Sequence, residues 1–267
     1  MQSYPTIARL IRGCAAIALA ALLVACRAHG DPRTPIPTAL FPAPSPPGTR
    51  LVVVLPGRAD DLGDLRASGI VPAAQRAWPD ADVVLAELTL DYYMAGRATS
   101  RLHEEVIEPA RRRGYRSVWL VGASLGGMGS LLYDREHPGA VDGIVLLAPF
   151  LGQRAILDEI RRAGGVARWT PGPKQPVDER TWQRELWRHI QQLSQRPGEA
   201  SRVWLAYGAD DRFRKAMPLL ADALPDRQVR VYDGGHTWRV WSPAAYDVLS
   251  AASATAATEG EKAPGHR

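Results

Sequence analysis

Leu51 to Leu55 reads Leu-Val-Val-Val-Leu, five consecutive apolar side chains with no polar face. A strand points successive side chains to opposite sides, so such a run suits a sheet covered on both faces. The pattern recurs. Val83 to Ala86, Val118 to Val121, Ile144 to Ala148, Val203 to Tyr207 and Val229 to Tyr232 are further short strand-like runs. Between them lie segments of helical spacing: Thr99 to Arg113, with Leu102, Val106 and Ala110 four apart, and Gly126 to Tyr133. Strands alternating with helices predict an α/β domain, with a mostly parallel central sheet and helices on both faces. Its expected extent is 49–252.

One segment breaks the alternation. From Phe150 to Ala200 about fifty residues separate two strand-like runs, far more than a usual connection. Within it Trp182, Leu186, Ile190 and Leu193 share one helical face. A peripheral helical layer would account for this. A helical cap over a substrate pocket, spanning about 151–200, is the preferred expectation, because long ordered insertions are often lids.

The ends of the chain read differently. Arg9 and Arg12 form a positive start without acids, and an apolar run follows from Cys14 to Ala25. That run is too short for a permanent membrane span and fits the apolar core of a signal peptide, here 1–25. Asp31 to Pro47 carries seven prolines, which favours an extended tether over 26–48. The small, polar stretch 253–267 is expected to be a disordered tail. Cys14 and Cys26 are the two cysteines, so stability must come from a core and not from disulfides. With the leader set aside, 31 basic residues face 28 acidic ones. An excess this small and scattered gives no reason to expect a nucleic-acid partner.

The chemistry-bearing motif is Gly122-Ala123-Ser124-Leu125-Gly126, directly after an apolar run and before a helical one. A nucleophilic Ser needs display on a tight strand-to-helix turn, and the flanking glycines supply the clearance. Its hydroxyl also needs a neutral His to take the proton, and that His needs a carboxylate to fix its tautomer. Downstream, Val203 to Tyr207 runs into Gly208-Ala209-Asp210-Asp211, and Val229 to Tyr232 runs into Asp233-Gly234-Gly235-His236. Each candidate lies just past the end of a strand, where open α/β sheets place their sites. His29, His103, His137, His189 and His266 lie beside the leader, in the tail, or on and beside helices. None forms a metal-ligand pair, so neither a metal nor a cofactor is expected. The residues alone leave both Asp210 and Asp211 open as the acid.

This order of Ser, acid and His, on these turns, resembles the α/β-hydrolase fold family of esterase- and lipase-like serine hydrolases. The resemblance covers Leu51 to Ser250. It implies Asp211 as the acid, three residues after the strand-ending Gly208. It also implies an oxyanion hole made by the backbone N–H groups of Leu125 and Arg58, the latter in the loop Pro56-Gly57-Arg58. A His commonly precedes that Gly in the family and is absent here. Leu23-Val24-Ala25-Cys26 in turn resembles the lipobox of bacterial lipoproteins, which implies cleavage before Cys26 and lipidation of its sulfur. Arg27 is not the Asp that retains such lipoproteins in the inner membrane, which implies an exported, periplasm-facing protein of the outer membrane.

The expected activity is hydrolysis of a carboxylic ester of a small-molecule acyl substrate, through an acyl-enzyme on Ser124 with His236 and Asp211. Thioester cleavage or acyl transfer would use the same triad. A non-catalytic envelope binding protein on the same scaffold is the reading from another class. The membrane is expected as a partner only through the lipid anchor, and the sequence does not set the oligomeric state.

Overall fold

The apolar runs become the strands of one sheet. A computed structural model, which describes residues 30–261, contains β1 (Thr38–Phe41), β2 (Arg50–Leu55), β3 (Ala81–Ala86), β4 (Ser117–Ala123), β5 (Gly143–Leu147), β6 (Val203–Gly208) and β7 (Val229–Tyr232). Their order is β1-β3-β2-β4-β5-β6-β7. β1 pairs antiparallel with β3, and the other pairings are parallel. Alternate residues of the inner strands enter different cores. Leu51, Val53 and Leu55 pack on one side, while Val52 and Val54 pack on the other. This is the architecture predicted from the two-faced apolar runs.

The helices are α1 (Leu62–Ala67), α2 (Ile70–Ala77), α3 (Leu90–Met94), α4 (Ala98–Leu102), α5 (Glu108–Arg112), α6 (Leu125–Glu136), α7 (Arg154–Arg162), α8 (Trp182–Ser194), α9 (Pro197–Ala200), α10 (Met217–Ala221) and α11 (Trp238–Glu261). A π-helical turn, His103–Ile107, joins α4 to α5. α2 and α11 cover one face of the sheet through Ile70, Ala74, Ala245 and Leu249. α6 and α8 belong to the other face, through Leu131, Leu186 and Ile190. The strand order reverses between β2 and β4, so the loops after these two strands face each other at the carboxyl edge of the sheet. Such a switch point is where ligand sites form in open α/β sheets.

Three expectations about chain organisation need correction. The segment expected as a tether over 26–48 is docked on the domain from Gly30 onward. Its Gly30 N–H donates to Thr89 Oγ1 (3.1 Å) and Asp91 Oδ2 (3.0 Å), and the Ile36 N–H donates to Glu105 Oε2 (2.7 Å). The proline-free stretch between Pro37 and Pro42 is β1, an edge strand whose prolines sit outside the ladder, where they cost no bond. At the other end, α11 continues to Glu261, past the expected start of a tail at Ser253. The alanines at 251, 252, 254, 256 and 257 give this polar-looking stretch high helix propensity.

The third correction concerns 151–200. This insertion packs against the flank of the domain rather than over the cavity described below. Trp187 donates its indole N–H to the Leu151 carbonyl (2.7 Å), and Leu186, Ile190 and Leu193 are fully buried. Two buried ionic centres lock α8 down. Glu185 takes bonds from Arg135 (2.6 Å) and Arg188 (3.2 Å). Asp134 on α6 accepts from His189 (2.9 Å) and Arg202 (2.5 Å). Burial by itself would raise the Asp134 carboxyl, but the His189 bond and the Arg202 charge outweigh it and hold the group low. The signal-peptide reading of 1–25 and the Cys26 reading lie outside the described residues.

Candidate active site

Ser124 stands between β4 and α6 with φ +51° and ψ −107°, a conformation L-residues rarely adopt. The turn is possible because its neighbours are small. A Cβ on Gly122 would run into the Gly126 carbonyl, and one on Gly126 would lie 2.5 Å from the Leu55 carbonyl oxygen. The Ser124 N–H is held by the Leu147 carbonyl (2.9 Å), and the Gly126 N–H by the Pro56 carbonyl (2.9 Å). The second of these bonds ties the turn to the loop after β2.

The loops after β6 and β7 are similarly tied. Ala209 N–H donates to the Tyr232 carbonyl (2.7 Å) and Asp210 N–H to the Gly234 carbonyl (2.9 Å). Gly208 passes so close to Gly234 that a Cβ there would strike its carbonyl. This crossing brings His236 over Ser124. His236 Nε2 lies 2.9 Å from Ser124 Oγ, and Nδ1 lies 2.8 Å from Asp211 Oδ2. Asp211 is fully buried, and its other oxygen accepts the Phe213 N–H (2.7 Å). Asp210 is exposed and points its neighbourly role elsewhere, through its backbone bond to Gly234. The two adjacent carboxylates are thus separated by position: Asp211 is the one against His236. The imidazole is also gripped edge-on by Phe213 (centroids 4.8 Å apart) and Trp241 (4.6 Å).

Ser124 and His236 open on a cavity of about 670 Å³. Leu90, Phe150, Phe213, Trp238 and Trp241 supply its apolar wall, and Arg58, Asp60 and Arg212 its charged groups. Phe150 is the near edge of the 151–200 insertion. No lining residue comes from 151–200 itself, and Trp182 reaches the wall only by packing on Phe150 (5.8 Å). Both expected oxyanion donors, Leu125 and Arg58, line the cavity. The Leu125 N–H is the first of α6, where no carbonyl of the same helix can accept it.

Asp60 is a site residue that sequence reading did not single out. Its Oδ2 accepts the Gly57 N–H (2.9 Å) and the Trp238 indole N–H (3.0 Å). It therefore fixes the backbone just before Arg58 and joins that loop to the start of α11. The only local sign was its place in a loop after the first buried strand. Nothing in the order of residues connected it to Trp238. Among the described residues, no group of three or more His, Cys, Asp or Glu side chains could hold a metal ion.

Comparison with known families fits this geometry. Residues 99–250, which include Ser124, Asp211 and His236, match the family described as Esterase. The chain belongs to the Esterase family. A comparison with curated proteins finds no match. Among solved structures, this esterase-family chain is similar to Est1E from Butyrivibrio proteoclasticus at 12% identity and a TM-score of 0.56, covering 83% of this chain and 94% of that one. A ferulic acid esterase gives 18% and 0.52, covering 76% and 83%. A monoacylglycerol lipase from Paleococcus ferrophilus gives 14% and 0.50, covering 82% and 99%. At such identities the likeness is one of fold, and the fold is that of the α/β-hydrolases.

Proposed function

We propose that this esterase-family chain is a serine hydrolase that cleaves carboxylic esters through an acyl-enzyme on Ser124. The observation that carries the reading is the continuous chain of contacts from Ser124 Oγ through the His236 ring to buried Asp211, each step under 3.0 Å. His236 Nε2 takes the hydroxyl proton as Ser124 attacks the carbonyl carbon. Asp211 holds Nδ1–H, which fixes the tautomer and stabilises the imidazolium. The backbone N–H groups of Leu125 and Arg58 receive the negative charge that develops on the carbonyl oxygen. His236 then gives its proton to the leaving alkoxide, and water repeats the sequence on the acyl-enzyme. The Asp60 contact to Gly57 keeps the second donor in place before substrate arrives, so little reorganisation is needed during reaction.

The apolar wall of the cavity supports an ester with a hydrophobic body. A chromogenic panel of p-nitrophenyl esters from acetate to decanoate tests the function. Turnover well above the rate without enzyme, with a preference among chain lengths, is expected. Background rates throughout would contradict it.

We also propose that Cys26 carries a lipid anchor on an exported, periplasm-facing chain. Each buried methylene of an acyl chain contributes about 0.8 kcal/mol, so several long chains would hold the protein firmly. Because Gly30 is fixed on Thr89 and Asp91, three residues, and so four Cα-to-Cα steps, separate the anchor from the folded domain. At about 3.5 Å per extended residue this is roughly 14 Å of reach, much less than a tether running to Pro47 would give. Leu90, between those two contacts, lines the cavity, so the anchor would keep that side of the site near the headgroups. Cys26→Ser is expected to lose both palmitate label and membrane association on fractionation. A wild-type protein that is unlabelled and released in a lipoprotein-processing host would overturn the anchor.

A further inference from the structure

Resting on the Ser124 hydrolase reading, we infer that the ester taken by this cavity carries an anionic group, recognised by Arg58 and Arg212. The cavity wall holds donors without partners. Several arginines elsewhere in the fold sit on carboxylates, such as Arg135 on Glu185, Arg184 on Glu159 and Arg202 on Asp134, and others, such as Arg66 and Arg76, lie over aromatic rings. Arg58 and Arg212 both line the cavity, both are exposed, and among the described residues neither has an ion-pair partner. Arg212 follows the buried Asp211, and its guanidinium lies over the Phe213 ring (5.0 Å). That ring packs edge-on against His236, so the charge stands beside the reacting groups.

Asp60 is the one carboxylate of the wall, and the Gly57 and Trp238 N–H groups occupy its Oδ2. The Thr237 hydroxyl accepts the Arg239 N–H (3.0 Å). The indole N–H of Trp241, a wall residue packed on His236, is buried with no partner among the described residues. Two guanidiniums without ion pairs and an unpartnered indole N–H, against a single carboxylate whose Oδ2 is held by two N–H donors, favour an acceptor-rich ligand of negative charge. The aromatic wall lowers the local dielectric around such a group and strengthens its attraction to the guanidiniums.

Matched pairs of esters test this. One pair carries the charge on the acyl side, mono-p-nitrophenyl glutarate against p-nitrophenyl pentanoate. The other carries it on the alcohol side, 4-butyryloxybenzoate against phenyl butyrate. The wild type is expected to show kcat/KM at least about five-fold higher for the charged member of one pair. An exposed ion pair contributes about two- to five-fold, and two cations act here. The pair that shows the preference identifies the side of the ester that carries the charge. Added salt is expected to erode the preference. Arg212→Gln and Arg58→Gln, which keeps the backbone N–H, should each bring the charged-to-neutral ratio toward one, while Arg212→Lys retains most of it. Equal kcat/KM for the members of both pairs, or a preference that survives Arg58→Gln/Arg212→Gln, would overturn the inference with the hydrolase reading intact. Background rates on all four esters would overturn both.

Discussion

Ser124→Ala is expected to lower kcat/KM on any ester substrate by roughly four to six orders of magnitude while the protein stays folded. The side chain removed is small, and Ser124 Oγ has His236 as its side-chain partner, so the fold loses one partly buried hydrogen bond and little packing. His236→Ala should fall by a similar factor. The double variant should be no worse than the worse single one, because nucleophile and base act as one unit. Circular dichroism and the thermal midpoint check the folding. A folded Ser124→Ala protein with wild-type rates would remove Ser124 as nucleophile.

Asp211→Asn should cost about 10⁴ in kcat, because an amide can present its N–H to His236 Nδ1 and select the wrong tautomer. Asp210→Asn, one residue away and exposed, should stay within a few-fold of wild type. Parallel kinetics on the two variants separate the adjacent carboxylates. The reverse pattern would move the acid to Asp210 and leave the fold unaffected. The contrast follows from geometry: Asp211 Oδ2 is 2.8 Å from the imidazole, while Asp210 is engaged through its backbone at Gly234.

The central sheet was legible because burial on both faces leaves a local trace. Five consecutive apolar residues at Leu51 to Leu55 have few other uses, and the Gly-x-Ser-x-Gly turn carries its steric requirement in its own spelling. β1 was hidden for the opposite reason. Thr38 to Phe41 is a four-residue edge strand among prolines, and what makes it a strand is pairing with β3, more than forty residues away. The arm before it is held by Thr89, Asp91 and Glu105, contacts that no local pattern announces. The insertion over 151–200 was legible as helical but not in its placement. Its apolar face fits a lid or a flank equally well, and the choice is made by the buried Asp134 and Glu185 centres.

The site divides along the same line. Ser124, His236 and the Asp210-Asp211 pair stand at strand ends and could be found by order along the chain. Asp60 and the wall formed by Phe150, Phe213, Trp238 and Trp241 come together only when four separate parts of the chain converge. Asp60 in particular looks like any loop carboxylate until the Trp238 indole is placed against it.

A fluorophosphonate probe followed by peptide mass mapping reads the activated nucleophile without needing the natural substrate. Stoichiometric labelling of the folded wild type is expected on the peptide containing Ser124, and none of Ser124→Ala. Label on another residue, or a folded wild type that takes no label, would contradict Ser124 as the nucleophile.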